Sequence, residues 1–226
     1  MRAPKSARSA RNLEAQPLGC RQRPTTIHSG EKIMRYSWMM ILGLLCAALP
    51  AQAETLDIDL KIPEIHGLAL KGEAGIVSLW VEDNRAAPAL GRELHGKSVM
   101  PRQDVAILLR NALAGSLRTA GFRVEEVHTD KSIDLVVHIT SLSYKAEDGF
   151  VTSKAILSSR VTAEVGHGDW HVNRSLGTTA EHTVPLSPNA EKIAELVNET
   201  LSDTLRIILE DEQIGAALKD KPQLSN

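Results

Sequence analysis

Residues 132–144, SIDLVVHITSLSY, and residues 152–165, TSKAILSSRVTAEV, decide how this chain folds. In the first, Ile133, Leu135, Val137 and Ile139 stand two apart; in the second, Ala155, Leu157, Val161, Ala163 and Val165 share one parity. Side chains alternate sides along a strand, so each stretch has one apolar face and one polar or mixed face. A third stretch, Trp170 to Thr183, follows across Gly166-His167-Gly168-Asp169, which reads as a hairpin turn. Three successive antiparallel strands are expected.

Upstream, Gly75 to Val81 reads as a strand with Val77, Leu79 and Val81 on one side. Pro101 then opens a helix that Gly121 ends, with Val105, Leu108, Leu109, Ala112, Leu117 and Ala120 as its stripe. A second helix begins at Ser187 and Pro188, carries Ile193, Val197, Leu201, Leu205, Ile208 and Leu209, and reaches about Glu212. Before all of these, Leu56, Ile58, Leu60 and Ile62 alternate with polar residues in an edge strand closed by Pro63. The expected class is α+β, in the order strand-helix-strand-strand-strand-helix. Two helices pack on one face of a mainly antiparallel four-stranded sheet.

The amino-terminal part carries targeting information. Residues 34–53, MRYSWMMILGLLCAALPAQA, have a basic start, an apolar run from Trp38 to Leu49 and the small-x-small triplet Ala51-Gln52-Ala53. That is a signal peptide cleaved between Ala53 and Glu54. The run is too short for a bilayer span, which takes about 20 residues. Cys46 at the end of the run is the alternative, a lipidation site, but a lipoprotein signal peptidase wants a small residue before the cysteine and Leu45 is large and branched. Residues 1–33 are basic, lack apolar periodicity and are read as an upstream extension outside the fold. Residues 54–219 form one domain and 220–226 a polar tail.

The full chain has 26 basic and 28 acidic residues. Removing residues 1–53 takes away eight basic and two acidic groups, leaving 18 against 26 and a net charge of about −8. Nucleic acid is therefore not an expected partner. Both cysteines, Cys20 and Cys46, leave with the same segment, so the mature domain has no disulfide and no thiol.

The residues resemble the YajG-like lipoproteins of Gram-negative envelopes, over roughly Gly75 to Ile214. The resemblance rests on Gly75-Ile76-Val77-Ser78-Leu79, Pro101-Arg102-Gln103-Asp104-Val105, Thr119-Ala120-Gly121-Phe122, Asp134-Leu135-Val136-Val137 and Asn189-Ala190-Glu191-Lys192-Ile193. These are packing motifs, and the resemblance implies no active site. It implies an envelope protein in which the small residue before an acylated cysteine is replaced by Leu45, hence a soluble periplasmic form, with an outer-membrane lipoprotein as the alternative.

Chemistry is sparse. His167 and His171, with Asp169 between them, are the candidate metal ligands, but residues four apart on a hairpin do not converge as on a helix, and no third ligand lies nearby. Asp57 and Asp59 point the same way from a strand and read as solvated edge charges. No Gly-x-Ser-x-Gly, His-Glu-x-x-His, Walker or dinucleotide motif occurs. No cofactor is expected, and an enzyme would have to announce itself through His138, His171 or His182 in a cleft.

The face left uncovered by the helices is the candidate interaction surface. Strict alternation gives it Trp80, Val136, His138, Thr140, Leu142, Tyr144, Ile156, Arg160 and Thr162. An apolar face of this kind suits another envelope protein or a second copy of the chain; the alternative is an amphipathic lipid or glycan.

Overall fold

The alternation in residues 132–183 becomes three strands of 16 residues each. The computed structural model describes residues 54–67, 70–71 and 75–219. The expected extension at 1–33, the signal peptide at 34–53 with Cys46 and Ala53, and the tail at 220–226 lie outside these residues. In chain order the elements are β1 (Thr55–Ile58), β2 (Ile76–Asp83), β3 (Gly91–Arg92), β4 (Ser98–Pro101), α1 (Val105–Thr119), β5 (Arg123–Glu125), β6 (Ser132–Glu147), β7 (Thr152–His167), β8 (Trp170–Pro185), α2 (Ala190–Glu210) and α3 (Glu212–Lys219).

All eight strands join one mixed sheet, in the order β1-β4-β3-β6-β2-β5, with β7 and β8 continuing from the other edge of β6. This corrects the expectation of a mainly antiparallel four-stranded sheet with two helices. Four of the seven pairings are parallel: β1 with β4, β2 with β5, β2 with β6 and β3 with β6. The reason is connectivity. The chain leaves β2, crosses through α1 and returns as β6 in register Leu79↔Leu135, and a crossover of that kind produces parallel neighbours. The strands missing from the expectation, β3, β4 and β5, span two to four residues, too few to display an alternation.

Caps explain where the helices start. Asp104 accepts a hydrogen bond from Ile107 N at 3.0 Å, so α1 starts at Val105, and Pro101 ends β4 instead of opening the helix. Gly121 follows α1 with φ 98°, the left-handed turn expected of it. Asn189, not Ser187, caps α2 through Lys192 N at 2.8 Å. Asp211 interrupts the second helix, and its Oδ1 accepts from Gln213 N and Ile214 N at 3.0 Å each, starting α3.

The core lies between the helices and one face of the sheet. Val77, Leu79, Leu135, Val137, Leu157, Val161 and Val165 meet Leu109, Leu113 and Leu117 of α1 and Ile193, Leu201, Leu205 and Ile208 of α2, all essentially buried. Each such side chain contributes about 2 kcal/mol by leaving water. Ser159 also faces inward, where its hydroxyl is bonded to the hydroxyl of Thr204, which in turn donates to Thr200 O at 2.7 Å. That buried polar pair is thereby satisfied.

Candidate interaction face

The pairing registers place the residues of the open face in rungs. Trp80 stands beside Val136, Glu164 and Asn173; Glu82 stands beside His138, Thr162 and Ser175. Asn173 Nδ2 donates to Glu164 Oε1 at 2.7 Å, and His138 Nδ1 lies 3.1 Å from Glu82 Oε2. Trp80, Val136 and His138 are half-buried by these neighbours.

Between Ile139 and Ser141 the register of β6 on β7 shifts by one residue. Thr140 is the extra residue of a β-bulge, and beyond it the parity of β6 reverses. Leu142 and Tyr144 consequently turn into the core, with 5% and 2% of their surface exposed. They do not belong to the open face on which strict alternation put them. In their place stand Ser141, opposite Arg160, and Ser143, opposite Ser158, with a 2.7 Å bond between the two serine hydroxyls. The signal for this was present in the sequence: Ile139 and Leu142 are three apart in a series otherwise spaced by two.

Strand β7 has no such shift against β8, so Ile156, Arg160 and Thr162 remain on the open face. Arg160 is exposed and pairs across to Gly177, beside a shallow hollow of about 450 Å³ lined by Ser141, Ser158, Ser175 and Thr179 among others. Toward one end of the sheet, Lys145 binds Glu147 at 2.7 Å and Lys154 binds Glu181 at 2.6 Å. The open face is thus apolar at Trp80, Val136 and Ile156 and hydroxyl-rich in the middle. Its outermost strand, β8, pairs with β7 alone among the described residues, without a register break over its 16 residues.

The other candidates separate. His167 pairs with Trp170 and His171 with Gly166, so the two rings fall on opposite faces, and His167 Nδ1 is engaged with Ser132 O at 2.8 Å. No group of three or more potential metal ligands gathers among the described residues. His138 faces the open side, while His182 pairs with Ala155 on the helix side, seven residues of β7 away, or about 23 Å. The histidines therefore form no common site. Asp59 is held by Arg102 Nη1 at 3.0 Å and Gln103 Nε2 at 3.1 Å, whereas Asp57 is exposed.

Glu93 is nearly buried between β3 and β4. Burial raises its pKa, but the amide of His95, its ring and the amide of Lys97 outweigh that and hold the carboxyl below its ordinary range. Tyr144, opposite Gly91, is pushed above the ordinary phenol value, first by burial and then by the charge of Glu93.

No curated protein matches the chain in sequence. Among solved structures, an uncharacterised protein shares 14% identity with a TM-score of 0.45, the alignment covering 69% of this chain and 97% of that one. A protein of the DUF330 family from Xanthomonas campestris shares 14% identity with a TM-score of 0.46, covering 71% of this chain and 96% of that one. No helix of the described residues is long and apolar enough to cross a membrane. The model of a family described as uncharacterised lipoprotein matches residues 70–219, a span that contains every strand but β1 and all three described helices. The chain belongs to that uncharacterised lipoprotein family, the group of YajG-like proteins.

Proposed function

We propose that the protein is a non-catalytic component of the cell envelope that docks another polypeptide on the open face of its sheet and along the free edge of β8. The observation that carries this reading is the long unbroken edge strand. A row of 16 residues whose outer main-chain groups have no strand partner among the described residues is a template for another chain, and soluble proteins ordinarily blunt such an edge with proline, lysine or a bulge. Within β8 the only proline is the terminal Pro185, and there is no lysine. The hydroxyl-rich hollow beside it suits hydrogen bonding to a polypeptide better than burial of an acyl chain, which an apolar cavity serves.

For location, the reading is a mature chain starting at Glu54 in the periplasm, supported by Ala51-Gln52-Ala53 and by the misfit of Leu45 before Cys46. The test of docking is the size of the native complex extracted from the envelope in mild detergent. Replacing Ser175 and Thr179, exposed on β8, by lysine is expected to reduce the complex to the monomer, with thermal stability unchanged. A complex of unaltered size, or a wild-type protein that is already monomeric, would overturn the reading.

A further inference from the structure

Turns are normally polar, but the β6–β7 hairpin ends in Asp148-Gly149-Phe150-Val151, with Phe150 fully exposed and Val151 72% exposed. The chain has two phenylalanines; Phe122 is buried, and the other is set on this tip. Thr152 pairs with Pro185, so Leu186, 44% exposed, stands beside Val151 and enlarges the apolar tip.

The register shows which way the tip faces. Lys145 lies level with Arg92, Arg92 with Ser98, and Ser98 with Thr55. Strands β1 and β4 run away from the hairpin, because β4 is antiparallel to β3 and β3 is parallel to β6. Glu54, held by Lys97 Nζ at 2.7 Å and by Ser98 N at 2.9 Å, therefore sits at the hairpin end of the sheet, about 15 Å to the side of β6. The chain enters the fold from the same end on which Phe150 and Val151 project.

We infer that the Phe150–Val151 tip is a membrane-contacting wedge that seats the domain on a lipid surface, with Glu54, the start of the mature chain, at the membrane-facing end of the sheet. Lipid suits this tip better than protein does. Three side chains offer far less than the roughly 800 Å² per partner of a stable protein interface, yet two large apolar groups can enter a headgroup layer without a fitted pocket. Around the tip Lys145 is paired with Glu147 and Lys154 with Glu181, and the remaining charge is the exposed carboxylate of Asp148, so no basic patch seeks anionic lipid. Contact should therefore occur on neutral phosphatidylcholine and depend little on salt. The wedge lies apart from the hydroxyl-rich middle of the open face and does not rest on the docking reading.

The test uses the mature protein as purified from the envelope, with Phe150→Trp as an intrinsic depth probe on phosphatidylcholine vesicles carrying brominated acyl chains. Trp170, the first residue of β8 at the opposite end of the sheet, and half-buried Trp80 supply the background in the wild type. The expected result is a blue-shifted emission and quenching by the brominated lipid in Phe150→Trp, beyond any seen in the wild type. The pair Phe150→Asp and Val151→Asp should lower vesicle affinity about a hundredfold, tenfold for each apolar side chain lost. An unshifted, unquenched emission from the tryptophan introduced by Phe150→Trp would overturn the inference even if the aspartate pair failed to fold. So would a folded aspartate pair that lost a protein complex while its vesicle binding stayed the same. The Ser175→Lys, Thr179→Lys variant should leave the quenching intact, so that failure of the docking reading and failure of the wedge can be told apart.

Discussion

Thr140 Oγ1 donates a 3.0 Å hydrogen bond to the carbonyl oxygen of Arg160 at the point where β6 takes in one residue more than β7. The bulge keeps apolar side chains in the core on both sides of it, Ile139 before and Leu142 after, although they are three apart. Truncating Leu142 to alanine should therefore cost about 2–4 kcal/mol, the penalty of a core cavity. Ile156→Ala, on the open face, should cost less than about 1 kcal/mol. Urea unfolding of the two variants checks this, and equal small costs would mean that the strand does not shift.

The hydroxyl of Tyr144 is buried without a hydrogen-bond partner among the described residues. Removing it leaves no partner orphaned, so Tyr144→Phe should be neutral or stabilising by up to about 1 kcal/mol. A loss of more than that in thermal unfolding would show that the hydroxyl has a partner in solution.

Gly91 lies against the same tyrosine. Its φ is 151°, and a Cβ there would collide with Tyr144 O. Gly91→Ala must push β3 off β6, with an expected loss of about 3 kcal/mol or more. Gly96→Ala, also at positive φ but with nothing within 4 Å, carries only the backbone term of about 1 kcal/mol. Comparing the two by denaturation separates steric contact from conformation.

Asp211 ties β8, near its start, to the helices. Its Oδ2 receives Arg174 Nε at 3.2 Å and Nη2 at 3.0 Å while its Oδ1 caps α3. Burial raises its pKa, but the Ile214 amide, Arg174 and the Gln213 amide prevail and hold it below the ordinary carboxylate value. A depressed folded value stabilises the protein above the unfolded pKa of about 4 and is lost as pH falls below that toward the folded value. Asp211→Ala should cost about 1–2 kcal/mol at pH 7, with the difference from wild type shrinking below about pH 4. A penalty that does not change with pH would assign it to packing.

Most of the long elements were legible in the sequence because each had room to show its period. Residues 132–144, 152–165 and 170–183 became β6, β7 and β8 with ends two or three residues further on. The two helix stripes also found their elements. Pairing was less legible: the direction of β2 against β6 depends on a crossover and not on any residue of either strand, and β3, β4 and β5 are too short for a pattern. On the open face, Trp80, Val136, His138, Ile156 and Arg160 stand where alternation put them, while Leu142 and Tyr144 do not, because one inserted threonine reverses parity. Phe150 and Val151 give no such signal, because a turn carries no periodicity to read.

Docking through the open face is tested most directly by site-specific photocrosslinking in intact envelopes. A photoreactive residue at position 160 or 175 on the open face is compared with one at 118 on α1 or 191 on α2, all exposed. The expected result is one adduct of defined size, shared by positions 160 and 175, absent from 118 and 191, and lost when Trp80 is replaced by alanine. Adducts of the same size from all four positions, or none from 160 and 175, would contradict docking on this face.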